Sequence, residues 1–246
     1  MKLRLFIILI LLNFLNSVSV YGASLGTYRI YLDNDNRSQK FPVRNRSDKA
    51  EECEVGFKYL AYSGNGYEET VKLSEKEQAE RSQPVIERIR FSPQKFVLEP
   101  KSIQYIAFSL RRKVGEKPNE IRTYATVTCI DVNKKSSMGL ITALELTVPL
   151  VVRTGNSESL DASLELEKLP KNKVRLKLKG KRSVYGDIKL IKENSDEFLV
   201  IENNTVIYPE MSFRDYQLPE ITDDNVSIQF VEKGKFANNK TFTFSL

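Results

Sequence analysis

The chain has 246 residues, of which 28% are charged and 41% hydrophobic, with 38 Lys and Arg against 32 Asp and Glu. The formal charge of +6 is spread along segments where the two signs alternate, which reads as solvated faces and not as a nucleic-acid surface. Histidine is absent, and with it go Ser-His-Asp and Cys-His nucleophile pairs, imidazole acid–base work and most zinc sites.

The first four residues carry Lys2 and Arg4, and residues 5–12 are uncharged and apolar. Val20, Tyr21, Gly22 and Ala23 then supply a small-residue exit. This is the pattern of a secretory signal peptide over residues 1–22, too short in its apolar core to span a membrane. Its removal takes the formal charge to +4 and leaves about 224 residues, enough for two domains of ordinary size.

Short alternating runs follow at 27–32, 40–45, 53–62, 85–91, 102–111, 122–132 and 140–152. Seven strands at this spacing predict an immunoglobulin-like sandwich. Turn residues separate them, among them Asp33 to Asn36, Ser63 to Gly66 and Gly115 to Pro118. The polar run at 74–81 is the one helix-like stretch and predicts a turn of helix within a loop. The last of the seven strands is the most distinctive. Its even positions are Met138, Leu140, Thr142, Leu144, Leu146 and Val148, while Gly139, Ala143, Glu145 and Thr147 stand between them. One face is therefore apolar, and Glu145 is the lone charge.

The segment from Arg153 to Glu158 carries Gly155, Asn156 and Ser157 and marks the domain boundary: 23–153 before it, 154–246 after it. Beyond it, Val174, Leu176 and Leu178 alternate with lysines and Arg175. Further strands are expected at 187–192, 198–202, 205–208, 212–217, 226–232 and 240–246. The fold class is all-β: two immunoglobulin-like β-sandwich domains joined by a short linker.

Chemistry-bearing motifs are sparse. Asp33 and Asp35 open like a calcium loop, but Ser38 and Arg44 stand where an EF-hand needs Gly and Glu, so a hairpin turn is expected. Ser92 and Lys95 match S-x-x-K in a β context without its companion motifs. Sites of the form N-x-S/T begin at Asn36, Asn45, Asn203, Asn225 and Asn239, and would matter only in a eukaryotic secretory route. Cys53 and Cys129 form either one disulfide, as an exported chain with an even count suggests, or two buried thiols. No catalytic residue, metal site or cofactor site emerges, and the chain is not expected to be an enzyme. The long strand near 140–152 is either the closing core strand of the first sandwich or an edge offered to another chain.

Several segments resemble the PapD-like periplasmic chaperones of the chaperone–usher pilus pathway. They are the run from Tyr28 to Asp33, the run from Phe41 to Asn45, the corner from Phe91 to Pro100 (F-S-P-Q-K-F-V-L-E-P), and the run from Val148 to Arg153. The resemblance implies two domains in an L or boomerang arrangement, a periplasmic location and a chaperone that lends its seventh strand to an incomplete pilus subunit. Carried over, the donor residues are Met138, Leu140, Thr142, Leu144 and Leu146. In the family, two basic residues grip the subunit's terminal carboxylate; Arg29 matches the first. Pro149 stands where the second, a lysine, is expected, which leaves Arg153 as the remaining candidate. Cys53 and Cys129 fall on neighbouring strands of this sandwich order, so a cross-strand bridge is geometrically reasonable. The implied partners are pilus or fimbrial subunits, an outer-membrane usher and, through the same strand, a self-capping homodimer, with no nucleic acid and no cofactor. The alternative is a secreted two-domain surface, adhesion or pilus structural protein. Against a pilin, residues 23–27 are too few for an N-terminal donor extension.

Overall fold

The computed structural model describes residues 23–26, 29–62, 70–132, 143–156, 160–192, 198–220, 226–235, 237 and 240–246. In chain order the first part holds β1 (Ala23–Leu25), β2 (Ile30–Leu32), β3 (Ser38–Asn45), β4 (Glu51–Lys58), β5 (Ala61–Tyr62) and β6 (Thr70–Val71). Helix α1 (Glu75–Ile86) follows, then β7 (Ile89–Ser92), β8 (Lys95–Leu98), β9 (Ile103–Leu110), β10 (Asn119–Asp131) and β11 (Leu144–Thr154). The second part holds β12 (Ala162–Leu169), β13 (Lys173–Gly180), β14 (Val184–Lys192), β15 (Phe198–Ile207), β16 (Phe213–Gln217), β17 (Val226–Glu232) and β18 (Thr241–Ser245).

Two sheets, ordered β1-β3-β9-β7 and β2-β11-β10-β4-β8, face each other in the first sandwich. The period-2 pattern decides what lies between them. Phe41, Val43, Ile106 and Phe108 come from one sheet and Val55, Ala125, Val127, Val148, Leu150 and Val152 from the other, all buried in one core. The second sandwich pairs β12-β13-β16 with β15-β14-β17-β18. Val174, Leu176 and Leu178 of β13 point into its core beside Ile188, Ile228 and Phe230. The architecture is all-β with two immunoglobulin-like sandwiches, as the strand spacing predicts.

Two local expectations are corrected. The helix is longer than a single turn: Ser74 and Glu77 form a reciprocal capping box at its start, and it runs on to Ile86 through Pro84. The strand expected over 85–91 therefore begins only at Ile89. Burial of Ser82 and Val85 against the first sandwich holds this turn helical, with Thr123 Oγ1 donating to Ser82 Oγ at 2.8 Å. The strands expected at 198–202 and 205–208 are one, β15, because Asn204 adopts a left-handed φ of 58° and its N–H reaches Asp187 Oδ1 at 2.9 Å. The ladder to β14 bulges there without breaking. The turn at Asp33 forms as expected, with Asp33 Oδ1 accepting from the N–H of Asp35 at 2.9 Å and from that of Asn36.

Cys53 and Cys129 are opposite each other on β4 and β10 and are disulfide-bonded. Their sequence separation of 76 residues closes a long loop. The Cys53→Ser/Cys129→Ser double variant is expected to lose about 4 kcal/mol of unfolding free energy in the chain-entropy model. Urea denaturation of oxidised wild type and variant measures the difference.

Candidate functional site

The longest strand pairing among the described residues joins β10 to β11 in antiparallel register from Asn119↔Thr154 to Cys129↔Leu144. On its other side β11 meets β2 in parallel, but only at Leu150, Val151 and Val152. Among the described residues no strand pairs with the outer side of β11 from Leu144 to Pro149. An edge of this kind leaves backbone N–H and C=O groups available to an added strand.

The side chains of this edge alternate. Val148, Leu150 and Val152 are in the first core, and Leu146 packs partly buried against it. Leu144 has the same parity but lies beyond the core and is 41% exposed. On the opposite face Glu145 is paired with Lys58 of β4. Met138, Leu140 and Thr142 lie outside the described residues.

The register aligns Pro149, Tyr124 and Lys58 as one row across the sheet, on the face turned away from the core, and Arg29 immediately precedes Ile30, the first residue of β2 to pair with β11. This face meets the second sandwich. Arg29 Nη1 donates to the Tyr208 hydroxyl at 3.3 Å, and the guanidinium lies 4.1 Å from the Tyr185 ring centroid. The Tyr208 hydroxyl is 3.3 Å from that of Tyr124, which is 2.6 Å from that of Tyr62. Tyr62 also stacks on Tyr208, centroids 5.5 Å apart. Burial opposes the charge on Arg29, but Tyr208 and Tyr31 offset it, and the guanidinium pKa lies above its ordinary value. Burial pushes the Tyr124 phenol up strongly, with Tyr208 adding to it, so Tyr124 is a neutral hydroxyl in this cluster.

Arg153 has a different place. It is buried, with Nε donating to Glu120 Oε2 at 2.9 Å. The other oxygen of Glu120 accepts from the Ser183 N–H of the second sandwich at 2.7 Å. The pair therefore ties β10, β11 and β14's approach together at the junction, while Arg29 faces the tyrosines. A second cross-domain tie comes from Arg122. Its Nε donates to Glu210 Oε1 at 2.7 Å, Nη2 reaches the same oxygen, and Nη2 also donates to the Leu60 carbonyl at 2.9 Å. The guanidinium lies 4.0 Å from the Tyr208 ring centroid and 4.6 Å from that of Tyr59. Burial works against its charge too, but Glu210 and Tyr208 more than offset this and raise its pKa.

Sequence reasoning missed Arg122, Glu120 and the tyrosines. The local signal was the run Arg122, Tyr124, Thr126, Thr128, whose polar parity marks a sheet face that is covered yet not core. Near the disulfide, the Glu51 carboxylate groups with the Cys53 and Cys129 sulfurs, but these are bonded to each other and supply no thiolate for a metal.

No family model matches the sequence, and no curated relative does. Solved structures do match the fold. The chaperone in the Salmonella enterica SafA pilin–SafB chaperone complex is among them: the match covers 94% of this chain and 99% of that one at 10% identity, with a TM-score of 0.54. The E. coli chaperone DraB matches over 92% of this chain and 97% of its own, at 13% identity and a TM-score of 0.54. The Pseudomonas aeruginosa chaperone CupB2 matches over 91% and 100%, at 11% identity and a TM-score of 0.53. The fold is that of the pilus chaperones. At such identities the likeness is one of fold.

The buried Arg153–Glu120 pair gives a direct prediction. Arg153→Met leaves a buried carboxylate without its cation and is expected to cost about 3–5 kcal/mol in urea unfolding. Lys95→Ala, which breaks the exposed pair with Glu54 (3.1 Å), is expected to change stability by less than about 0.5 kcal/mol.

Proposed function

We propose that this chain is a periplasmic chaperone of pilus subunits that lends the open edge of β11 to an incomplete subunit sandwich and passes the subunit to an outer-membrane usher. In this reading residues 1–22 are removed on export, and 23–153 and 154–246 act as the two domains. The observation that carries the reading is the half-covered edge: β2 pairs with β11 at Leu150–Val152, and among the described residues no strand pairs with the outer side of Leu144–Pro149. The pilus-chaperone fold supports it. One structural neighbour was solved with a pilin, and another, the Acinetobacter baumannii CsuC–CsuE complex, with a tip adhesion subunit.

The physical account is strand addition. A subunit strand pairing with Leu144–Pro149 satisfies backbone groups on both chains, and side chains of the Leu144 parity, with Met138, Leu140 and Thr142 ahead of it, enter the subunit's open core. Each apolar side chain fully buried there contributes roughly 1.5–3 kcal/mol before ordering costs. Arg29 serves as the anchor for the subunit's terminal carboxylate through a charge-assisted bond. Arg153 supports the cleft through Glu120 and contributes no free charge to that anchor.

Co-expression with subunits encoded beside it is expected to give a one-to-one complex. Leu144→Glu brings a charge into the subunit core and is expected to weaken that complex by at least about 100-fold while leaving the melting temperature of the free protein unchanged. Arg29→Ala is expected to weaken capture of an intact subunit by about ten-fold or more, and to leave unchanged the capture of a subunit whose terminal carboxylate is amidated. Undiminished binding by the Leu144 variant would rule out β11 as the lent strand.

A further inference from the structure

Ala23 opens β1 opposite Asn45 of β3 and is buried in the first core. Ladder bonds of an antiparallel pair alternate, so every second N–H points away from the partner strand. Gly26 N donates to the Pro42 carbonyl at 3.0 Å, and on the far side of β3 the Asn45 N–H goes to the Ser102 carbonyl at 3.0 Å. The Ala23 N–H therefore lies on the side of β1 turned away from β3, and it hydrogen-bonds the carboxylate of Glu51, the first residue of β4 in the opposite sheet. Glu51 Oε2 is shielded from solvent and has no hydrogen-bond partner. Around it stand the bonded sulfurs of Cys53 and Cys129, which do not titrate, and Asp131, paired opposite Glu51 on β10. Lys49 is engaged with Asp131 at 3.3 Å, and among the described residues no cation pairs with Glu51. Burial raises the Glu51 pKa, Asp131 adds to this, and the Ala23 N–H opposes it only in part. The carboxylate is short of positive charge at the point where a backbone nitrogen already touches it.

We propose that hydrolysis of the Gly22–Ala23 bond on export turns this nitrogen into the missing cation, an α-ammonium that pairs with Glu51 and fastens β1 to the opposite sheet. The inference rests on the reading that residues 1–22 are a removed leader, and it fixes where the cut falls: Gly22 is the small residue before the bond. Water adds across the amide. The new carboxylate leaves with Gly22, and the Ala23 nitrogen, which carried one hydrogen, holds three at neutral pH. A single N–H serves one carboxylate oxygen, whereas an ammonium can serve both. No group has to enter, because the nitrogen is in place before the cut. The charge-assisted pair is stronger than the neutral bond that it replaces. Removal of the leader therefore stabilises the first sandwich as well as freeing the chain, and an uncut chain keeps a buried carboxylate oxygen unanswered.

Two measurements test it. The intact mass of the protein recovered after expression with its own leader is expected to correspond to a chain that begins at Ala23; an uncut chain would overturn the export reading and this proposal together, and a different first residue would overturn this proposal alone. The second measurement uses a full mature chain made to begin at Ala23, whatever the natural cut, and follows the Ala23 Cα and Cβ shifts by NMR as the pH is raised. The amine is expected to titrate about 1 pH unit above the ordinary 7.7–8.0 of an α-amino group, and Glu51→Gln is expected to return it to that range. A chain that begins two residues earlier, at Tyr21, carries its charge roughly 7 Å away. At pH 7 its unfolding constant in urea is expected to be about five- to ten-fold higher than that of the Ala23 chain. Because the raised pKa belongs to a cation, this difference is full below the unfolded amine's pKa and is lost as the pH rises through the folded one. It is also expected to vanish when both chains carry Glu51→Gln, a cycle that cancels any general cost of the substitution. An Ala23 amine that titrates in the ordinary range, or a stability difference that survives Glu51→Gln, would overturn the proposal and leave the strand-lending account untouched.

Discussion

The pairing of β10 with β11 is the constraint on which the rest of this molecule depends. One ladder runs from the domain junction to the far tip of the first sandwich, and its two ends do different work. At the junction end, Glu120 and Arg153 are buried opposite each other and engage the second sandwich through Ser183. At the tip, the Cys53–Cys129 bond fastens β10 to β4, and Leu144 is the residue paired with Cys129 on the other side. The exposed part of β11 is therefore held in register by a strand that is itself held at both ends. An edge presented in this way costs little further ordering when a partner strand adds to it.

The second consequence concerns the cleft. Buried charge is tolerated there because each charge has a partner: Arg153 with Glu120, Arg122 with Glu210 and the rings of Tyr59 and Tyr208, Arg29 with Tyr208 and Tyr185. These contacts cross between the sandwiches at several separate points, and the hydroxyls of Tyr62, Tyr124 and Tyr208 link them. The arrangement favours a fixed relation between the two sandwiches over a swinging hinge, and it leaves Arg29 as a fixed cation just before β2, the strand that pairs with the junction end of β11.

Much of the fold was legible because the alternation that forms each strand is local. Val174, Leu176 and Leu178 against Lys173, Arg175 and Lys177 specify β13 and its buried face with no outside information. The same holds for Val148, Leu150 and Val152, and the cysteine count pointed to the bond that the structure contains. The α1 boundary was not legible, since Val85 and Ile86 fit a strand as well as a helix and the choice was made by tertiary packing on Ser82. The cleft was the least legible part. Arg29 and Tyr208 are 179 residues apart, and Arg122 and Glu210 are 88 apart, so no periodicity joins them. The resemblance pointed to Arg29 and Arg153; the structure places Arg29 against Tyr208 and Tyr185 and pairs Arg153 with Glu120.

Hydrogen exchange at the amides of β11 tests the central claim most directly. In the free protein, the outward-facing amides between Leu144 and Val148 should exchange faster than those of Leu150–Val152, which β2 covers. On binding a subunit, that difference should disappear as the added strand protects them. Amides already protected in the free chain, or no gain of protection across Leu144–Val148 in a complex that has formed, would contradict the account.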